Sequence, residues 1–190
     1  MHRIRAIYWL LFLTLLPHAY ADDALRDRIL TELTQHPEKH FRFQQEKKLA
    51  VLTQALVTRG VLHTDQQQRI IWEIQEPYTL RYELTRDEIR ETDAQGTRSI
   101  KPTQNPIAAA LTTALSATFT GHWQEQNTLT HIEASGNNTQ WTLEITPLAE
   151  ALKPILKSIV VEGSTHTIHR IHITETNGDS TDIQLSPFTP

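Results

Sequence analysis

The chain has 190 residues, with 18 lysines and arginines against 22 aspartates and glutamates, and it has no cysteine. This acidic balance argues against a nucleic-acid-binding protein and against a basic patch that docks on anionic lipid. Without cysteine no disulfide framework can form, so a hydrophobic core must hold the fold, and a domain of this length can supply one.

The first 21 residues are predicted to be a secretory signal peptide. Arg3 and Arg5 give a positive start, residues 6–16 are apolar, and Ala19-Tyr20-Ala21 is a small-x-small cleavage site. The apolar run is shorter than the about 20 residues that span a bilayer. We expect cleavage after Ala21, which leaves a single domain over residues 22–190. With no cysteine to carry a lipid anchor, that domain is expected to be soluble in the periplasm.

A helix is predicted over residues 22–35. Asp22 or Asp23 can cap it, and its apolar side chains recur at helical spacing on one face: Leu25, Ile29, Leu30 and Leu33. His36-Pro37 ends the helix, because the residue before a proline disfavours helical backbone.

The stretch from Phe41 to Leu84 is predicted to form four strands that share one apolar face. Alternation of apolar and polar residues indicates strands with one buried side. The residues of that side are Phe41, Phe43, Leu62, Ile70, Trp72, Ile74, Leu80, Tyr82 and Leu84, whereas Arg69, Ile71 and Glu73 are expected on the opposite side. Short connections favour a strongly curved antiparallel sheet, and a weaker hairpin follows with strands Glu88–Thr92 and Arg98–Ile100.

The character of the chain changes after Lys101. Pro106 suits the first turn of a helix, and Ile107–Phe119 is rich in alanine and leucine, with no charged residue between Lys101 and Glu125. Such a helix is either buried on most sides or packed against an apolar surface that can open.

The last third of the chain is predicted to return to strands. Glycine- and asparagine-rich turns separate them, with Asn177-Gly178-Asp179 as a hairpin turn. Pro147–Lys157 is predicted to be a short helical crossover. The predicted strands are Gly121–Glu125, Leu129–Ala134, Trp141–Thr146, Ile159–Val161, Thr165–Thr174 and Thr181–Leu185.

Ten histidines raise the question of a metal enzyme. On a strand, His166 and His172 share a face and His169 lies on the other, so the three cannot converge on one metal. His122 and His131 lack acidic partners in a recognisable motif. The chain has no cysteine nucleophile, no Gly-x-Ser-x-Gly elbow and no phosphate-binding glycine loop. We expect no enzyme activity, no metal and no cofactor.

The order of these features resembles the LolA-like family, periplasmic carriers of outer-membrane lipoproteins. The matching features cover nearly all of residues 22–190 and include an N-terminal helix and an apolar helix in mid-chain. The matching motifs are Phe43-x-Gln45-x-Lys47, Gly60-Val61-Leu62, Trp72 with Pro77 five residues on, Trp141-x-Leu143-x-x-x-Pro147 and Asn177-Gly178-Asp179. The resemblance implies an α+β fold, an incomplete antiparallel β-barrel whose concave apolar face is lidded by helices and shelters acyl chains.

The resemblance also implies a monomeric carrier without nucleic-acid partners, which receives an acylated cargo from an inner-membrane donor complex and passes it to an outer-membrane acceptor. The cavity is expected to be lined by Phe43, Ile70, Trp72, Ile74, Leu80, Tyr82, Trp141, Leu143 and Ile145, with lid contacts from Ile107, Leu111 and Leu115. The same side chains can instead fill a solid core. A periplasmic sensing or protein-binding module is the other alternative. Such sensors usually carry a second C-terminal domain, whereas this chain stops at Pro190, which favours a carrier.

One departure from the family concerns the cargo. Lipoprotein carriers of this family place an arginine before a proline on the loop that leads to the tryptophan strand, where it latches the lid. The matching positions here are Gln66 and Gln67, and an amide makes weaker hydrogen bonds than a guanidinium. Arg69 lies nearby with the opposite strand parity. A glycolipid, a lipid-linked pigment or a polyene is therefore as compatible with the sequence as a lipoprotein.

Overall fold

The structure is a computed structural model, and it describes residues 23–35, 40–65, 67, 69–85, 88–101 and 129–189. This part of the chain forms one helix followed by eleven strands. The elements are α1 (Asp23–Gln35), β1 (His40–Lys48), β2 (Leu56–Thr64), β3 (Ile70–Glu76), β4 (Leu80–Leu84), β5 (Ile89–Asp93), β6 (Gly96–Ile100), β7 (Thr130–Gly136), β8 (Trp141–Pro147), β9 (Leu156–Ser164), β10 (Thr167–Glu175) and β11 (Ser180–Pro187).

All eleven strands belong to one antiparallel sheet. The order of the described strands is β6-β5-β4-β3-β2-β1-β11-β10-β9-β8-β7, so among them β6 and β7 are the edges and the eleven strands do not close on themselves. The two halves join where β1 pairs with β11, with Phe43 opposite Leu185. The predicted open antiparallel sheet is confirmed. The predicted lid helix and the predicted strand Gly121–Glu125 lie outside the described residues.

Helix α1 packs its apolar face on the sheet. Leu25, Ile29 and Leu33 are buried, as their helical spacing predicts, and the helix contacts β7. Arg28 donates a hydrogen bond of 2.7 Å to the side chain of Asn138 in the β7–β8 turn. The helix therefore covers the sheet on the β7 side.

One side of the sheet, here called the inner face, holds the core. Its strands contribute one continuous cluster of buried apolar side chains, from Leu84 on β4 to Ile132 on β7, together with the apolar face of α1. Residues directly opposite each other on neighbouring strands point to the same side of the sheet. Tyr82 therefore lies on the inner face with its partner Trp72, and Val161 lies there with its partner Leu143.

The opposite side, the outer face, carries a network of ion pairs over β3, β4 and β5. Arg69 contacts Asp65 at 2.7 Å and Glu83 at 3.0 Å, and Arg81 pairs with Glu73. Ile71 lies on this face as predicted, yet it is 0% exposed. Its register neighbours are His63 and Glu83, so long polar side chains surround it, and their stems can cover an apolar residue.

The helical crossover predicted at Pro147–Lys157 is wrong. Residues 148–155 form turns that connect β8 to its antiparallel neighbour β9. The turns are closed by short-range bonds such as Leu152 N–H to Ala149 O at 2.9 Å. Pro154 has no N–H to continue a helix, and adjacent antiparallel strands need no crossover.

The predicted alternation of the histidines on β10 fails at a bulge. Ile168 pairs with Gly163 and Arg170 with Glu162, so His169 is an extra residue without a register partner. Ile168 and Ile171 are consequently both buried although they are three residues apart. His166 precedes the strand, in the β9–β10 turn.

Candidate functional site

Nine of the twelve predicted site residues are described, and all nine lie on the inner face. Seven are buried in the core cluster, and Leu80 and Tyr82 are half-buried and pack against it. The seven are Phe43, Ile70, Trp72, Ile74, Trp141, Leu143 and Ile145. The predicted lid residues Ile107, Leu111 and Leu115 lie outside the described residues, as does Gln66.

An aromatic pair occupies the inner face where β1, β2 and β3 meet. The rings of Phe43 and Trp72 are 4.7 Å apart between centroids and tilted by 50°. Gly60 on β2 lies opposite Phe43 on β1. It has no side chain to fill the space between the rings of Phe43 and Trp72. A Cβ atom at Gly60 would fall 1.8 Å from the carbonyl oxygen of Glu73. The glycine therefore permits both the close approach of β3 and the aromatic contact.

Trp141 is fixed by a second close contact. Its indole N–H donates to the carbonyl oxygen of Thr165 at 3.0 Å, and its ring covers Gly163, where a Cβ would fall 2.2 Å from the ring. Leu143 and Ile145 are at most 2% exposed. This side of the inner face, next to α1, is packed core.

Half-buried apolar side chains of the inner face lie on β4. Leu80 pairs with Ile74 and Tyr82 with Trp72, so these half-buried residues continue the apolar surface from β3 towards the β6 edge. Among the nine described candidates, Leu80 and Tyr82 are the ones that offer surface to a ligand without rearrangement of the core.

A polar group that the sequence analysis missed completes this surface. Glu91 on β5 lies between Tyr82, its register partner on β4, and Arg98, its register partner on β6. All three residues therefore point to the inner face. Glu91 is 5% exposed and forms an ion pair with Arg98. Burial, together with the charge of Glu91 and a hydrogen bond to it, raises the pKa of Tyr82 to about 12. The strand parity that placed Tyr82 inside also places Glu91 there.

The raised pKa leads to a test of this polar group. In the folded protein at about pH 11, wild type and Tyr82→Phe should show equal tyrosinate absorbance, because Tyr82 stays protonated. In denaturant at the same pH, wild type should gain one tyrosinate more than the variant. Since the folded pKa lies above the unfolded one, the corresponding stability is lost as pH rises from about 10 towards 12. A larger tyrosinate signal in folded wild type would contradict the burial of this hydroxyl.

The inner face becomes polar towards the β1–β2 loop. Lys47 contacts the buried carboxylate of Glu175 at 3.3 Å, and Thr181 lies opposite Lys47. The buried hydroxyls of Thr58 and Thr130 have no hydrogen-bond partner in the described part of the chain. A ligand group that reaches this end of the inner face meets donors and acceptors rather than hydrocarbon.

The strand histidines that the structure describes lie on the outer face of the sheet. His172 contacts Asp182 at 3.2 Å beside Arg170, and His131 contacts Glu133 at 3.1 Å. No sequence motif marks these acidic partners, and both contacts are solvent-accessible on the outer face. Over the described ranges, no group of three or more histidine and carboxylate side chains is arranged to hold a metal ion.

An open antiparallel sheet with one apolar inner face and an N-terminal helix defines the class of this protein. The family model described as outer membrane lipoprotein carrier protein LolA-like matches residues 18–187. The chain belongs to this family, as the sequence resemblance predicted.

Similar solved structures include three at low identity. A LolA superfamily protein from Nitrosomonas europaea is 9% identical, with 86% of this chain and 93% of that chain covered and a TM-score of 0.47. A putative outer membrane lipoprotein-sorting protein domain from Vibrio parahaemolyticus is 10% identical, with 83% and 88% covered and a TM-score of 0.40. LprF from Mycobacterium bovis is 11% identical, with 85% and 93% covered and a TM-score of 0.35. No curated protein sequence matches the chain. In the described residues, no helix is long and apolar enough to cross a membrane.

Proposed function

We propose that this protein is a non-catalytic periplasmic carrier that shelters the acyl chains of a lipoprotein or related amphiphile on its inner face. It would receive the cargo at the inner membrane and deliver it towards the outer membrane, acting as a chaperone in outer-membrane biogenesis. The observation that carries the proposal is the gathering of all nine described candidate residues on one apolar face of an open sheet. Membership of the LolA-like family supports the same class.

The chemistry of this face suits an acyl chain. Each methylene group removed from water contributes about 0.8 kcal/mol, so a single long chain supplies ample binding energy. The half-buried surface of Leu80 and Tyr82 is the proposed first contact, and the aromatic pair Phe43 and Trp72 lies next to it. The group formed by Tyr82, Glu91 and Arg98 would bind polar atoms near the acyl chain.

The cargo is left open between a lipoprotein and another amphiphile. Gln67, one of the two positions that match the family's latch arginine, is exposed, and its backbone N–H donates to Asp65 at 2.9 Å. Arg98 is the inward-facing cation beside the proposed site, and it is paired with Glu91. A glycolipid or a lipid-linked polyene therefore stays as compatible with the proposal as a lipoprotein.

The proposed lid gives a direct test. Leu111→Asp is expected to abolish retention of a fluorescent fatty acid while the sheet stays folded, because a carboxylate on the lid would have to leave water to cover the ligand. Thr113→Asp is the matched control, since a helix would place position 113 on the opposite side from Leu111. Retention unchanged in Leu111→Asp would contradict the lid. Failure of the wild-type protein to bind the fatty acid would contradict the carrier itself.

A further inference from the structure

The exposed large apolar side chains of the described residues all lie at one end of the sheet. This set, here called the apolar rim, consists of Val51, Leu52, Leu56, Val57, Tyr78, Leu129 and Leu148. The β1–β2, β3–β4 and β8–β9 connections emerge at this end, because the strands they join pair antiparallel. Leu129 is placed beside Leu148 by a hydrogen bond of 2.8 Å from Leu148 N–H to Leu129 O.

The β1–β2 loop is the most prominent part of the rim. From Leu49 to Val57 it contains no charged residue, and Val51 is 88% exposed. The loop is held in place, because Ala50 N–H donates to Asp179 at 2.8 Å and Leu52 N–H donates to Leu49 O at 2.9 Å. An anchored loop that keeps a valine in water loses free energy unless another surface covers it.

The charges around the rim are nearly balanced. Lys47 pairs with Glu175, Arg59 with Glu76, and Lys153 with Glu150. Asp179 is bonded to the loop backbone, and Lys48 adds a further cation beside it. Any surface that covers the rim is therefore recognised through apolar contact.

We infer that the apolar rim inserts into the surface of a lipid bilayer and docks the protein there. These exposed side chains stand on separate connections along one end of the sheet, and the ion pairs among them leave apolar contact as the attraction that this end offers. A bilayer interface accepts such dispersed tips, and Tyr78, which is 54% exposed, has the amphipathic ring that interfaces favour. The rim also adjoins the polar end of the inner face, where Lys47 and Glu175 lie.

The inference goes beyond the proposed function and does not depend on it, because docking requires no cargo. A protein that binds vesicles but no fatty acid would refute the carrier and keep the docking rim. A protein that binds fatty acid but no vesicles would refute the docking rim and keep the carrier. The two failures are therefore distinguishable.

The test is flotation of residues 22–190 with two kinds of vesicles, one of phosphatidylcholine and one of phosphatidylethanolamine with phosphatidylglycerol. Wild-type protein is expected to float with both kinds of vesicle, and the fraction bound should change little with salt concentration. Val51→Asp and Leu52→Asp should each weaken binding by about tenfold or more, because a carboxylate replaces buried hydrocarbon. Val51→Trp should strengthen it several-fold.

The control is Ser135→Asp, which adds the same charge on the outer face at the far end of β7 and should bind like wild type. The exposed positions of the rim contribute little to the core, so the unfolding midpoints of Val51→Asp and Val51→Trp should match wild type. Absence of flotation with both vesicle types would overturn the inference. Equal binding by wild type, Val51→Asp and Val51→Trp would overturn it as well.

Discussion

Gly60→Ala is expected to lower the free energy of unfolding by about 3 kcal/mol or more, which is a large part of the stability of a typical domain. The added Cβ would fall 1.8 Å from the carbonyl oxygen of Glu73 and 3.0 Å from the ring of Phe43. The ring can turn aside, but the backbone of β3 cannot move without breaking its register with β2. Urea unfolding followed by circular dichroism measures the effect.

Two further variants separate the backbone contact from ordinary packing. Thr58→Ala changes the same face of β2 and should cost less than about 1.5 kcal/mol, because its buried hydroxyl has no partner in the described part of the chain. Phe43→Leu added to Gly60→Ala should bring no rescue, since the clash with Glu73 remains. A Gly60→Ala protein with the wild-type midpoint would show that β2 and β3 do not approach as described.

Leu80→Asp is expected to weaken binding of a fluorescent fatty acid by about 100-fold, because the carboxylate would lose water without gaining a partner. Leu80 is half-buried beside Ile74 and Tyr82, and the carboxylate of Glu91 already lies on this face. Fluorescence titration of delipidated protein gives the affinity. The fold should persist, since Leu80 is not fully enclosed by the core.

Val61→Asp is the matched control for this prediction. Val61 is a partly buried apolar residue on the outer face of β2, opposite Arg42, so it receives the same change on the side away from the proposed site. Its fatty-acid affinity should stay within about threefold of wild type, while urea midpoints report the stability of both variants. An equal loss of affinity in the two variants would mean that Leu80→Asp acts through the fold.

Strands could be predicted from the sequence wherever one face of the sheet is buried and the other faces solvent, because apolar and polar residues then alternate. Trp141, Leu143 and Ile145 alternate with polar residues, and all three are buried on the inner face. The pairing of β1 with β11 joins the two ends of the chain, and local patterns carry no information about such a contact. The resemblance to the LolA-like family supplied the expectation of one large antiparallel sheet, and the family match confirms the resemblance.

Local pattern is not enough where tertiary contacts decide burial. Ile71 lies on the predicted outer face, but its full burial depends on ion pairs between neighbouring strands, which the alternation does not show. One bulge residue, His169, shifted every later side chain of β10 relative to a regular strand. Glu91 was not predicted to be buried, because a charged residue on a short strand is expected to face water. In the structure its buried carboxylate pairs with the largely exposed Arg98 on the neighbouring strand β6.

Native mass spectrometry of the protein purified gently from the periplasm of its own cells tests the proposed carrier role most directly. The carrier role predicts a co-purifying acylated molecule, and the headgroup of that molecule distinguishes a lipoprotein from a glycolipid or a polyene. An empty protein that also fails to bind a fluorescent fatty acid would contradict the carrier and indicate that the inner face is a solid core.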